Sequence, residues 1–242
     1  MSKYLTSVLI PVAGVQPSFL KGTKHLLQDI TQLPTLPKDV YLVTADVTSL
    51  YTNIPHEEGI STTLEYLDRH RDILPPHTPT NKVIEQFLKF ILKENYFDFL
   101  DSHYLQLQGT AMGTKMAPPY ANIFMAKIEQ ELTHSRAEIL FWRRFIDDIF
   151  FIWRGSLESL MDFQHTANAH HNSIKFTFEF SQNSVNFLDC SLYLDESQRL
   201  KTTLYRKPTD KHLIFALHIS PSTSSEEERR LHTGTEIQED HF

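Results

Sequence analysis

A single cysteine, Cys190, stands in 242 residues, which rules out an intrachain disulfide and any cysteine-built zinc site. It is compatible with a reducing, intracellular compartment. Long apolar runs are also missing. The stretch MSKYLTSVLIPVAGV has only about eight apolar residues, broken by Pro11, too short to span a bilayer and weak as a signal peptide. No membrane segment is expected, and the chain is expected to be soluble, in the nucleus or cytoplasm. The thirteen histidines show no metal-ligand spacing such as HExxH, so they read as surface or packing residues. There is no internal repeat. Positive charge is scarce as well: the net charge is −7, which opposes a surface built to neutralise phosphates.

What is present is a core. Hydrophobic residues make up 40% of the chain, with 17 Phe, enough for one sizeable domain with at most a small appendage. Pro34, Pro37, Pro75, Pro76 and Pro79 mark loops, and NKVIEQFLKFILKENYFDF reads as an amphipathic helix running into a strand. Part of the acidity belongs to the polar C-terminal SSEEERRLHTGTEIQEDHF, which is expected to be a disordered tail. The basic residues fall into two clusters, Arg143-Arg144 and Lys201, Arg206, Lys207 and Lys211. The second would meet a nucleic-acid backbone or form a solvated turn.

The run RRFIDDIFFIW, Arg143 to Trp153, places Asp147 and Asp148 inside a β-prone apolar segment. Two carboxylates about 4 Å apart repel by about 4 kcal/mol at an effective dielectric near 20, and apolar neighbours add desolvation. A surface turn between two strands is one explanation. Asp-Asp, however, lacks the Gly or Asn that two-residue hairpin loops favour. The other explanation is a hairpin whose tip offers hard oxygen ligands to divalent cations.

A third carboxylate is Asp46, at the end of DVYLVTADV, whose β-branched and aromatic residues read as a buried strand. The following TSLYTNIPHEEG carries helix-start signals: Asn53 as a cap, Pro55 in the first turn, Glu57 and Glu58 at the N-terminus. Alone, Asp46 is equally well a cap or a structural acceptor. In QGTAMGTKMAPPYANIFMAKIEQEL, a Gly-containing loop becomes a helix after Pro118-Pro119, with Ala121, Phe124, Met125, Ile128 and Leu132 on one core face. Gly109 and Gly113 would let backbone approach a base or template strand. Lys115 would contact phosphate or remain solvated. Ile174, Phe176, Phe178 and Phe180 alternate with Lys175, Thr177 and Glu179 as in a half-buried strand, with Lys175 facing solvent on that reading.

Three of these segments, DVTSLYTNIPHEEG, QGTAMGTKMAPPYANIFM and RRFIDDIFFIW, resemble in order motifs A, B and C of the reverse transcriptase palm, with wording closest to Penelope-like retroelements. FTFEFSQNSVNFLDCSLYL and LKTTLYRKPTDKH continue the resemblance, which covers roughly Pro17 to Phe215. It implies an α+β palm, an antiparallel sheet packed on helices with partial fingers and thumb. Residues 1–38 would be a remnant of the fingers or connector, 39–215 the palm and 216–242 the tail.

The resemblance also implies an RNA-directed DNA polymerase that joins a deoxynucleotide (dNTP) to a primer 3′-hydroxyl on an RNA or DNA template, using two Mg²⁺ or Mn²⁺ ions. Asp46 and Asp147 would be the principal metal ligands and Asp148 the supporting acid. Tyr51 would lie under the incoming sugar and exclude a 2′-hydroxyl, while Ser49 and Leu50 would offer N–H groups to the triphosphate. Gln108 and Gly109 would contact the nucleotide, and Lys175 would protonate pyrophosphate. Lys115, Arg143, Arg144, Arg206 and Lys207 would hold nucleic acid. NFLDCSLYLD resembles the primer-grip hairpin, with Asp189 where the family often has Gly. About forty residues precede the first catalytic strand, few follow the last motif, and nothing resembles the GIY-YIG endonuclease of these elements. The second functional reading is therefore a catalytically inactive, truncated relic that binds nucleic acid or serves as a scaffold.

Overall fold

The segment with the strongest strand signal forms β1 (Val40–Val47), in which Val40, Leu42, Val43, Ala45 and Val47 are buried. The computed structural model describes residues 1–206. Expectations placed on 207–242, including Lys207, Lys211 and the tail, lie outside the described residues. Before β1 come α1 (Ser2–Gly14) and α2 (Thr23–Thr31); after it come α3 (Leu50–Asn53), α4 (His56–Arg69) and α5 (Asn81–Lys93). The hairpin β2 (Tyr96–Phe99) and β3 (Ser102–Leu105) leads to α6 (Ala117–Thr133), then β4 (Ile139–Phe145), β5 (Asp148–Arg154) and α7 (Leu157–His170). The described residues end with β6 (Phe176–Ser181), β7 (Ser184–Phe187), β8 (Cys190–Leu194) and β9 (Leu200–Leu204).

The central sheet has strand order β4-β5-β1-β6, antiparallel throughout. Side chains alternate across it with period two. Val43, Ala45 and Val47 join Ile149, Phe151 and Trp153 on one face, in a core shared with α1, α4, α5, α6 and α7. Val40, Leu42, Phe150 and Ile152 face the other way, where α2 and the antiparallel sheet β7-β8-β9 supply Leu26, Ile30, Val185, Phe187 and Leu192. The architecture is thus the expected α+β arrangement of antiparallel sheets on helices.

Three local expectations change. The apolar N-terminal stretch is α1, whose Leu5, Val8, Leu9 and Val12 are fully buried against the core. Among the described residues no helix is long and apolar enough to cross a membrane. The helix of the second segment takes Pro118 and Pro119 into its first turn rather than starting after them. It is buried nearly all round, with Asn122 and Glu129 inside as well as Tyr120, Ile123 and Phe124, because α1 and α4 pack on it while it shares a core with the sheet. Finally, Asn53 ends α3 instead of capping α4, and its Nδ2 donates to the Thr48 carbonyl at 3.0 Å.

Candidate active site

The turn carrying the acidic pair is tighter than the sequence suggests. The β4–β5 ladder closes at Phe145 opposite Asp148, so the two loop residues are Ile146 and Asp147, and Asp148 already belongs to β5. The positive φ that such a loop needs falls on Ile146, at 57°. A β-branched residue there is strained by about 1–2 kcal/mol. This corrects the expectation that both aspartates form the tip. Arg144 Nη1 donates to the Ile146 carbonyl at 2.9 Å, and Val47 N–H donates to the Asp147 carbonyl at 3.0 Å.

β1 brings Asp46 directly opposite Asp148 in the ladder. Both have the parity of Leu42, Phe150 and Ile152, so they lie on the sheet face opposite α1, α4, α5, α6 and α7, the face that α2 and the β7-β8-β9 sheet partly cover. Asp46 is exposed; Asp147 and Asp148 are half-buried. Burial and then the charge of Asp147 hold the Asp46 carboxyl above its ordinary pKa. The same two causes, in the same order, raise the Tyr51 phenol. Asp46 and Tyr51 are therefore both within electrostatic reach of Asp147. The donor set suits Mg²⁺ or Mn²⁺: hard oxygens whose mutual repulsion a cation would relieve. Among the described residues no three His, Cys, Asp or Glu side chains close on one point. The aspartates thus form an open face rather than a cage, and Mg²⁺ sites of that kind are completed by water and substrate phosphates.

The two loops beside the aspartates are docked on each other. Ser49 is left-handed at φ 51° and starts α3, which buries Leu50 and leaves Tyr51 half-buried. Thr110 N–H donates to the Tyr51 carbonyl at 2.7 Å, Gly109 N–H to the Ile54 carbonyl at 3.0 Å and Gln108 Nε2 to the Asn53 carbonyl at 3.0 Å. His56 Nε2 donates to the Gly109 carbonyl at 2.7 Å. Gly109 has φ +78°, and a Cβ there would meet the Tyr51 carbonyl oxygen at 2.4 Å. Its close approach is to this backbone, a correction to the expectation of a base or template. Gly113 has open space around it.

The basic candidates separate. Arg144 is wholly buried, bonded to Asn122 and paired with Glu129 at 3.0 Å. It cannot meet phosphate, which corrects its assignment as a nucleic-acid contact. Arg143 is half-buried, with Nε 2.6 Å from Asp29 Oδ2 and its guanidinium over Phe141. Lys115 and Arg206 are exposed. Lys175 Nζ donates to the carbonyls of Asn168 (2.6 Å) and His171 (2.9 Å), where a cation complements the end of α7. At the β7–β8 turn, Asp189 accepts from Thr23 Oγ1 at 3.0 Å. The sequence reading missed the polar group around Arg144. Its signal was Asn122 and Glu129, two helical turns apart inside an apolar helix. A cavity of about 920 Å³ on the helix side is lined by Tyr66, Glu129 and Trp142 among others and includes none of the three aspartates.

Residues 1–203 match the family described as reverse transcriptase (RNA-dependent DNA polymerase). No curated protein sequence matches the chain. Among solved structures, the chain is similar to apo telomerase from Candida tropicalis truncated from the C-terminal domain, with 13% identity and a TM-score of 0.63 over 84% of this chain and 45% of that one. Telomerase from Candida albicans, solved with a fragment of telomeric RNA, gives 9% identity and 0.62 over 83% and 38%. An RNA polymerase complex inside a double-stranded RNA virus gives 11% and 0.56 over 82% and 20%. At such identities the likeness is one of fold. The chain spans less than half the length of these neighbours.

Proposed function

The chain belongs to the reverse transcriptase (RNA-dependent DNA polymerase) family, and from that membership we propose that it is the palm of a Penelope-like RNA-directed DNA polymerase. The observation that carries this reading is the meeting of Asp46 and Asp148 across the ladder with Asp147 in the adjoining turn, at one end of the sheet, with Asp46 and Tyr51 both perturbed by Asp147. Asp46 and Asp147 are the metal ligands and Asp148 the supporting acid. When bound, two Mg²⁺ or Mn²⁺ ions would activate the primer 3′-hydroxyl and stabilise the leaving pyrophosphate. Tyr51 lies under the deoxynucleotide sugar, and the backbone N–H groups at Ser49 and Leu50 face its triphosphate. Gln108 and Gly109 act by holding the second loop against α3, which fixes the height of Tyr51. Lys175 would protonate pyrophosphate only after leaving the carbonyls at the end of α7. Lys115, Arg143, Arg206 and Lys207 are the remaining candidates for a primed RNA or DNA template, with Arg143 shared with Asp29.

The net charge of −7, with Arg144 withdrawn into the core, favours a second reading: a palm that has lost activity and persists as a binding or scaffold module. Primer extension on an RNA template with Mg²⁺ or Mn²⁺, run beside Asp147→Asn, separates the two. Extension by the wild type alone supports the polymerase. Equal signal from both proteins, or none from either, rejects it.

A further inference from the structure

Among the described residues Arg144 is the charged side chain most completely enclosed, with no exposure at all. Burying a guanidinium costs several kcal/mol unless its donors find acceptors. Nη1 donates to Asn122 Oδ1 at 2.5 Å and to the Ile146 carbonyl at 2.9 Å, and Nη2 donates to the Asn122 carbonyl at 3.1 Å. Nε makes no hydrogen bond, but it lies 3.0 Å from Glu129 Oε1, so the charge is paired. Glu129 is itself held, its Oε2 accepting from Ser18 Oγ at 2.6 Å and its Oε1 from Trp142 Nε1 at 2.7 Å. The Arg144 backbone is also fixed: its N–H donates to the Ser18 carbonyl at 2.7 Å, and its carbonyl accepts from Leu20 N–H at 2.9 Å.

The bonds to Asn122 and the pair with Glu129 tie helix to strand. The bond to Ile146 does something else, because that carbonyl belongs to the strained turn residue immediately before Asp147. We propose that Arg144 is a positioning residue: braced by Glu129 and Asn122 in α6, it holds the Ile146 carbonyl and thereby sets the turn that directs Asp147 towards Asp46. The relevance to catalysis rests on the polymerase reading given above. The planar guanidinium explains why arginine occupies the position. It reaches Asn122, Glu129 and the turn at once, whereas an ammonium is a point donor on a flexible stem.

Two variants test this. Arg144→Met combined with Glu129→Gln removes both charges at similar volume and leaves neither partner buried alone. Arg144→Lys keeps the pair with Glu129 and loses the fork. Each is compared with the wild type by melting temperature, by amide exchange at Asp147 and Asp148 against that of β1 and α6, and by primer extension. Faster exchange confined to the turn is expected, with kcat falling about tenfold to a hundredfold, as for removal of a residue that orients a ligand, and KM for the deoxynucleotide unchanged. Unchanged turn exchange in a folded variant overturns the proposal. If the double variant does not fold, Arg144→Lys decides by the same reading. Accelerated turn exchange in a protein whose wild type never extends a primer overturns the polymerase reading but leaves the role of Arg144 in the turn standing.

Discussion

Asp46 and Asp148 stand directly opposite each other across the β1–β5 ladder, with Asp147 one residue further into the turn and close enough to raise the pKa of Asp46. Acids from two distant stretches of chain therefore meet at one end of the sheet, Asp46 and Asp148 on the face that the β7-β8-β9 sheet and α2 partly cover and Asp147 in the turn beside them. The patch stores repulsion that a cation would remove.

The first prediction follows from that repulsion. The folded protein holds the Asp46 proton more tightly than the unfolded chain does, since its pKa is raised from 3.8 by burial and by Asp147. Its contribution to stability is therefore complete below pH 3.8 and disappears as pH rises through the folded-state pKa. Asp46→Asn should raise the melting temperature of the metal-free protein at pH 7 by about 1–3 °C, a small amount because the side chain is exposed. It should also abolish stabilisation by millimolar Mn²⁺. A metal-free variant that melts lower than the wild type would count against the repulsion.

Asp147 perturbs both Asp46 and Tyr51, so its loss should be felt in chemistry more than in stability. Asp147→Asn is expected to lower primer extension by about a hundredfold or more, the loss of several kcal/mol of charge stabilisation. Circular dichroism should show the fold intact. Retained extension would remove Asp147 from the ligand set.

Gly109 tests the docking of the second loop. A methyl there would sit 2.4 Å from the Tyr51 carbonyl oxygen and 2.5 Å from Thr52 Cα, at a φ of +78°. Gly109→Ala should destabilise the protein by about 1–3 kcal/mol, measured by urea unfolding. Gly113→Ala, with open space around it, should be close to neutral.

Tyr51 is half-buried with its backbone carbonyl bonded to Thr110 N–H, so its side chain can be shortened without undoing that bond. Tyr51→Ala should increase incorporation of ribonucleotides relative to deoxynucleotides by about 10- to 100-fold, the range over which a pocket discriminates a single added hydroxyl. Competition between the two nucleotides on one primed template measures it. An unchanged ratio would make Tyr51 a packing residue.

Much of the fold was legible from pattern. β1 was readable from its run of β-branched, aromatic and apolar residues, and the amphipathic α5 leading into β2 followed from helical spacing and loop-marking prolines. What stayed hidden depended on partners distant in sequence. The apolar stripe in α6 looked like one face because nothing in the stripe announces that α1 and α4 will cover the rest. Asp147-Asp148 looked like a two-residue tip because Ile is a poor choice for a left-handed turn, and only the ladder register, with Arg144 bonded to the Ile146 carbonyl, places it there.

The sequence alone, through side-chain shape and period, marked β1, the strands around the acidic pair, β6, α5 and α6, and its resemblance to the reverse transcriptase palm singled out the three acids. The tertiary structure decided what surrounds them. Arg143 and Arg144 are adjacent and chemically identical, yet one reaches Asp29 near the surface and the other is enclosed by Asn122, Glu129 and Ser18. Ser18 and Glu129 are 111 residues apart in the chain. A charge becomes structural only when partners of that kind are assembled around it, since desolvation without them would outweigh the gain. Local sequence carries no record of that assembly, so the difference between a phosphate contact and a buried brace for the turn appeared only in the folded chain.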